Sequence, residues 1–131
     1  MAGFTALVAD DSKLMRQMEV TALANAGFTA IDEAVDGEEA LQKLMGKKYD
    51  LVILDYVMPK LTGAQALKEL HEKTGPNQAT PVLMVTGESS REKVMEIARL
   101  KVSGYMVKPF TIEKLTARAR QFLPAAPPAA P

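Results

Sequence analysis

The sequence contains no cysteine and only one histidine, His71. The first absence excludes disulfides, thiolate chemistry and cysteine-based zinc sites, and a single histidine cannot build a histidine-rich metal site. Lysine plus arginine equals aspartate plus glutamate at 16 residues each. Net charge therefore gives no argument for binding nucleic acid or an anionic membrane. We expect His71 to be a surface residue without a functional role.

Long hydrophobic runs are also missing. No apolar segment approaches the ~20 residues that a membrane span needs. The N-terminal segment lacks a basic start and reaches Asp10 too early for a signal sequence. A length of 131 residues fits one domain. We therefore expect a cytoplasmic monomer that binds neither membrane nor nucleic acid.

Short apolar runs alternate with amphipathic segments along the chain. Most are rich in β-branched residues, as parallel strands buried on both faces are. The runs cover residues 5–9, 30–34, 51–54, 82–85 and 105–107. The second run contains Asp32 and Glu33, so we expect it at an edge of the sheet.

Helix-start signals lie between these runs. Side chains that can accept a hydrogen bond from the first helical turn, alone or in capping-box patterns, precede each predicted helix. They are Ser12, Asp36 (with Glu39), Thr62 (with Gln65), Ser89 (with Glu92) and Thr111. Gly27 suits the end of the first helix. The alternation predicts an α/β fold: a (βα)5 doubly wound, five-stranded parallel sheet between two helical layers, a three-layer sandwich.

The last residues, 124–131, are only proline and alanine. Such a segment forms neither helix nor sheet and has little to bury. We therefore expect one domain over residues 1–123, followed by a disordered tail.

Polar residues follow four of the predicted strands. Asp10 and Asp11 follow the first, Asp55 the third, Thr86 the fourth and Lys108 the fifth. Ligands of open α/β sheets bind at the carboxyl ends of the strands, so these side chains should share one rim. Each alone has an ordinary explanation as a cap, turn residue or surface charge. Together, the carboxylates repel one another unless one is protonated or a cation is bound, and oxygen-only ligands favour Mg²⁺.

This constellation resembles the receiver domains of response regulators, in particular single-domain chemotaxis regulators. The resemblance spans about residues 4–123. The matching stretches are LVADDS (7–12), LVILDYVMP (51–59), Gly63, PVLMVTGE (81–88) and GYMVKPF (104–110).

The resemblance implies a role for each residue of the acidic rim. Asp55 is expected to be the nucleophile that becomes an acyl phosphate. Asp11 and Asp55 are expected to bind Mg²⁺ directly, Asp10 mainly through a water, and Val57 through its backbone carbonyl.

The resemblance also implies a switch. Thr86 and Lys108 are expected to contact phosphoryl oxygens, and the Lys108–Pro109 peptide bond to be cis. After phosphorylation Thr86 moves toward the phosphate, and Tyr105 turns inward.

The fourth helix carries more apolar residues than one buried stripe needs. They are Val94, Met95, Ile97, Ala98 and Leu100. We expect Val94 and Ile97 to leave an exposed apolar ridge beside Tyr105, where receiver domains of this kind dock their targets.

Four residues depart from the family's usual pattern. Lys101 and Val102 replace a small Gly-Ala pair, which predicts either left-handed strain or a helix longer by one turn. Gly87 replaces an alanine and should loosen the switch loop. Val57 replaces a polar residue beside Asp55, and we hypothesise that it changes the lifetime of the phosphoryl group.

The resemblance implies a signalling protein rather than an enzyme, with only self-phosphorylation and self-dephosphorylation at Asp55. Its expected partners are a sensor histidine kinase, a target such as a flagellar motor switch protein, and a phosphatase. The alternative is a stand-alone receiver in a phosphorelay or another pathway.

Three other classes fit less well. A haloacid-dehalogenase-type phosphatase needs a second carboxylate where Val57 stands. A flavodoxin-like carrier needs a glycine-rich phosphate loop after the first strand, where this chain is acidic. A pseudo-receiver that only binds a partner is expected to lack Asp55 or Lys108, and both are present.

Overall fold

The computed structural model describes residues 3–87 and 90–124. Within them, strands and helices alternate along the chain. The strands are β1 (Phe4–Ala9), β2 (Phe28–Ala34), β3 (Leu51–Asp55), β4 (Val82–Thr86) and β5 (Gly104–Val107). The helices are α1 (Lys13–Ala26), α2 (Gly37–Gly46), α3 (Gly63–Glu72), α4 (Arg91–Ala98) and α5 (Ile112–Arg120). Among the described helices, none is long and apolar enough to cross a membrane.

All strands pair in parallel, in the order β2-β1-β3-β4-β5. This order confirms the predicted doubly wound α/β fold and places β2 at an edge, where its acidic residues can meet water. The strand order reverses next to β1, between β1 and β3. Ligands bind at the carboxyl ends of the strands beside such a point. The crevice therefore opens between Asp10 and Asp55.

Two apolar layers hold the sheet between the helices. On one face, the buried side chains of α2, α3 and α4 pack against alternate strand residues, among them Leu7, Val52 and Met84. On the other face, α1 and α5 pack against their neighbours in the strands, among them Val8 and Ile53. Because β1 and β3 are covered on both faces, their last residues are fixed in position.

The predicted helix caps are present at most positions. Ser12, Asp36, Thr62 and Thr111 each accept a hydrogen bond from the backbone three residues on. Gly27 ends α1 with a left-handed φ of 119°, a conformation that favours glycine.

The start of α4 differs from the prediction by one residue. Ser90 is the N-cap, and its side chain accepts a hydrogen bond from the backbone of Lys93. Ser89, which the capping-box pattern with Glu92 indicated, lies outside the described residues. Two adjacent serines made the sequence pattern compatible with either cap.

The end of α4 decides between the two expectations for Lys101. The helix ends at Ala98 and is not lengthened, and Lys101 has a left-handed φ of 58°. A side chain with a Cβ is strained in this conformation. The departure from Gly-Ala therefore costs stability rather than changing the helix.

The predicted exposed ridge on α4 is wrong at Ile97, whose side chain is 0% exposed. Ile97 belongs to the apolar layer that also contains Met84, and the half-buried Val94 lies on the same side of the helix. Ile97 therefore points toward the sheet, whereas Val94, three residues earlier, is only partly covered. The large apolar side chain that α4 exposes is Met95, at 50% exposure.

Candidate functional site

Three carboxylates meet at the carboxyl end of the sheet. Asp10 directly follows β1, Asp11 comes next, and Asp55 is the last residue of β3. One oxygen of each lies within 4.8 Å of the others. Asp10 and Asp55 are buried, while Asp11 is exposed. The cluster therefore consists of two buried carboxylates and one that faces the solvent.

The ammonium group of Lys108 lies between the two buried carboxylates. Its Nζ is 3.0 Å from Asp10 Oδ2 and 3.1 Å from Asp55 Oδ2. The Lys108 backbone donates a 2.7 Å hydrogen bond to the Thr86 carbonyl, which extends the pairing of β4 with β5. The Lys108–Pro109 bond is cis, as predicted.

The charges in this cluster do not balance. Burial raises the pKa of Asp55 above its ordinary value and the charge of Asp10 acts in the same direction, although Lys108 opposes both. Burial alone would lower the pKa of Lys108, but its hydrogen bonds and charge interactions with the two aspartates raise it above its ordinary value. A lysine held fully charged between two carboxylates leaves an excess of negative charge, which a bound cation relieves.

The donor set fits Mg²⁺. The ligands within reach are carboxylate oxygens, and Mg²⁺ is held in proteins by one or two carboxylates together with waters or phosphate oxygens. Asp11, exposed beside two buried aspartates, gives a cation a route from the solvent. Val57 follows on the same rim, and its backbone N–H lies 3.4 Å from Asp55 Oδ1.

Thr86 and Val57, the two other residues expected beside Asp55, differ in exposure. Thr86 ends β4 and is buried, one residue beyond Val85, the register partner of Asp55. The Val57 side chain is 66% exposed. The solvent-facing side chain two residues after Asp55 is therefore apolar.

Tyr105 lies on β5, away from the acidic cluster. It is the register partner of Met84, and its side chain is 39% exposed. Met95 of α4 is exposed as well, and we call the solvent-facing surface of these two elements the α4–β5 face. Ile97 does not belong to this face.

Sequence reasoning missed Glu19. This glutamate of α1 is 0% exposed and shares the helix's buried stripe with Ala22, Leu23 and Ala26. Neither of its carboxyl oxygens has a hydrogen-bond partner among the described residues. Burial raises the pKa of Glu19 to about 10, and the charge of Asp10 adds to the effect. The signal was its spacing, three, four and seven residues before the buried positions, on a face otherwise apolar.

Sequence reasoning also missed Tyr56, which directly follows Asp55. Its buried ring points toward α4, where its hydroxyl bonds to Glu96. The Lys93 ammonium lies 4.4 Å from the ring centroid. This contact joins the strand that carries Asp55 to the helix of the α4–β5 face, and no local sequence pattern predicts it.

Comparisons with known proteins agree with this geometry. A model of the response regulator receiver domain matches residues 6–120. The chemotaxis protein CheY of Pseudomonas aeruginosa is 38% identical over 109 residues, which are 83% of this chain and 87% of that protein.

Solved structures show the same fold. The chemotaxis response regulator CheY4 of Vibrio cholerae has a TM-score of 0.83 and 35% identity, over 93% of this chain and 100% of that one. A chain of the CheX–CheY–BeF3–Mg²⁺ complex from Borrelia burgdorferi has a TM-score of 0.80 and 28% identity, over 90% of this chain and 87% of that one. The chain therefore belongs to the response regulator receiver domain family and is a CheY-like signalling protein of two-component systems.

Proposed function

We propose that this protein is a phosphorylation-dependent switch that accepts a phosphoryl group on Asp55 from a sensor histidine kinase. The observation that carries the proposal is the position of Asp55. Its carboxylate ends a central strand, pairs with Lys108 and lies among carboxylates able to hold Mg²⁺. Asp50, which directly precedes the same strand, has no comparable surroundings among the described residues.

The chemistry needs little from the protein beyond position and charge. An oxygen of Asp55 attacks the phosphorus atom of a phosphohistidine, an O–P bond forms, the P–N bond breaks, and the donor imidazole takes up a proton. Asp55 is already a carboxylate in its pair with Lys108, so it needs no general base. Positioning and electrostatic stabilisation supply most of the catalysis of phosphoryl transfer.

The neighbouring residues divide the remaining tasks. Asp11 and Asp55 would hold Mg²⁺ directly, Asp10 mainly through water, and the Val57 carbonyl would complete the protein ligands. When bound, Mg²⁺ screens the approach of one anion to another. Lys108 and the Thr86 hydroxyl contact phosphoryl oxygens, since Thr86 ends β4 beside β3 and the Lys108 ammonium already pairs with Asp55.

The output is a change of the α4–β5 face. Thr86 moves toward the new phosphate and Tyr105 turns inward from its half-exposed position. Tyr105 and Met95 change their exposure at this face, and its affinity for a target protein changes with them. The similarity to CheY chemotaxis proteins supports a cytoplasmic role in chemotaxis, with a flagellar motor switch protein as target and a phosphatase that resets the state.

Intact-mass measurement after mixing the protein with Mg²⁺ and acetyl phosphate tests the proposal. We expect one phosphoryl group on the unmodified protein and none with EDTA or in Asp55→Asn. Asp50→Asn, directly before the same strand, is the matched control and should be phosphorylated normally. Failure of the unmodified protein to gain mass under every condition contradicts the proposal. Decay within minutes fits chemotaxis, and persistence for hours fits the alternative, a phosphorelay.

A further inference from the structure

A groove lies between α3 and the residues that directly follow α4, and we call it the α3–α4 groove. Its volume is about 360 Å³, within the range of about 300–1,000 Å³ that is usual for binding clefts. Ala64 and Leu100 supply its apolar part, and both are half-buried at the outer edge of the apolar layer beneath α3 and α4. Neither Met95 nor Tyr105 of the α4–β5 face lines it. The groove is therefore a second surface, with room for an apolar side chain of a partner.

The rim of the α3–α4 groove is positively charged. Lys68 of α3, and Arg99 and Lys101 after α4, are exposed and line it. Within residues 3–87 and 90–124, none of these three cations forms an ion pair. Glu72 is the one carboxylate among the described lining residues. The rim thus carries more positive than negative charge, and its cations are available to carboxylates from outside the chain.

Lys101 occupies this rim at a cost in stability. Its φ is 58°, a left-handed conformation that glycine adopts without strain and that strains a residue with a Cβ. The Lys101 side chain is exposed, so packing of the core does not require it. A strained residue without a packing role indicates a function for its side chain. Here the side chain adds a third cation to the rim.

We propose that the α3–α4 groove binds an acidic segment of a partner protein, one that carries an apolar anchor side chain between its carboxylates. The anchor packs on Ala64 and Leu100, and the carboxylates beside it pair with the three cations of the rim. Clusters of basic side chains recognise acidic motifs in this way, and complementary charge gives such contacts their specificity. A nucleic acid fits less well, because part of the groove is apolar and the net charge of the chain is zero.

Amide NMR of the unphosphorylated full chain, titrated with a synthetic peptide, tests the proposal. The probe peptide is blocked at both ends and has one leucine with glutamates on either side, and the control peptide has lysines in place of the glutamates. We expect the acidic peptide to shift the amide signals of Lys68, Leu100 and Lys101, and the basic peptide to leave them in place. Raising the salt concentration from about 0.05 M to about 0.5 M should weaken the binding several-fold, because salt screens exposed charges.

Variants of the rim separate binding from folding. Lys68→Glu and Lys101→Gly should each raise the dissociation constant of the acidic peptide about threefold or more, because each removes one cation of the rim. Lys101→Gly should also unfold at a higher temperature, since it relieves the strained backbone, so its weaker binding cannot come from misfolding. Lys114→Glu is the matched control and should bind like the unmodified protein. Lys114 is an exposed cation of α5, on the other face of the sheet.

Three results would overturn the proposal. They are unmoved amide signals with the acidic peptide, equal shifts with the basic peptide, and a loss of affinity in Lys114→Glu as large as that in Lys68→Glu. A short single-stranded oligonucleotide is the competing probe, and its displacement of the acidic peptide at a lower concentration would assign the groove to phosphate polyanions instead. None of these results depends on phosphorylation of Asp55, which the intact-mass experiment tests separately.

Discussion

The Lys108 ammonium lies 3.1 Å from Asp55 Oδ2, although 53 residues separate the two in the sequence. The same ammonium lies 3.0 Å from Asp10. One cation is thus shared by two buried carboxylates, with Asp11 adding a third negative group at the entrance. Without a bound cation the site has more negative than positive charge. The effect of Mg²⁺ that we expect follows from this excess.

Mg²⁺ should stabilise the folded protein. A cation that binds only the folded state adds about 2.7 kcal/mol to the free energy of unfolding at about 100 times its dissociation constant. Thermal unfolding with Mg²⁺ and with EDTA measures the effect. Asp11→Asn should lose most of the shift, since it removes the exposed carboxylate. An equal shift in Asp11→Asn would place the cation elsewhere.

Val57→Asn should change the lifetime of the phosphoryl group without preventing its formation. The Val57 side chain is 66% exposed beside Asp55, so its replacement alters what a hydrolytic water meets on its way to the phosphorus. The decay rate of phosphorylated protein, followed by intact mass after removal of the donor, measures the effect. Val35→Asn, an exposed valine that follows the edge strand β2 and is separated from β3 by β1, is the control. An unchanged decay rate in Val57→Asn refutes this hypothesis.

Tyr49→Phe should destabilise the protein in a pH-dependent way. The buried Tyr49 donates a 2.7 Å hydrogen bond to Asp32, and this bond, with Lys47, lowers the pKa of Asp32 below its ordinary 3.8. A lowered pKa adds stability above the unfolded-state pKa, and that stability is lost as the pH falls through the folded-state pKa. We expect a loss of about 1 kcal/mol at pH 7, small because Asp32 is half-exposed.

Urea unfolding at neutral and acidic pH checks this prediction. The difference between Tyr49→Phe and the unmodified protein should shrink below about pH 4, as Asp32 becomes protonated. A difference independent of pH would assign the effect to packing of the ring instead of to the hydrogen bond.

Lys101→Gly should stabilise the protein by about 1 kcal/mol, because a left-handed φ costs a residue with a Cβ about that amount. The φ of Lys101 is 58°. Lys101→Ala is the matched control, since it removes the long side chain and keeps the strain. Chemical denaturation of the three proteins gives the comparison. If glycine and alanine have the same effect, the backbone at this position is not strained.

The sequence was sufficient to predict the sheet, its edge strand β2 and the acidic rim. These follow from local rules: buried parallel strands are continuous apolar runs, and parallel strands end at the same edge. Asp10, Asp55 and Lys108 could be placed together for that reason alone. A left-handed backbone conformation at Lys101 was also one of the two outcomes expected from the sequence, because Lys101 and Val102 stand where related receivers have Gly-Ala.

Other features depend on tertiary contacts that have no local pattern. Packing against the sheet sets the rotation of α4 about its axis, which buries Ile97 and exposes Met95. The sequence of α4 has several apolar residues and is compatible with more than one such rotation. The contact of Tyr56 with Glu96 joins elements 40 residues apart. The sequence shows Glu19 as a charged residue at helical spacing from several apolar residues of α1. That this side of α1 is the buried one is known only from the packing of the helix against the sheet.

The central claim is that Asp55 carries the phosphoryl group, and borohydride trapping tests it most directly. Borohydride reduces an acyl phosphate to an alcohol, so phosphorylated protein, treated and digested, should contain homoserine in place of Asp55 and aspartate at positions 10 and 11. Protein kept in EDTA during phosphorylation should contain aspartate at all three. Homoserine at position 55 only after incubation with Mg²⁺ and donor is the predicted result. Homoserine at another position, or none in protein that has gained a phosphoryl group, would contradict the account.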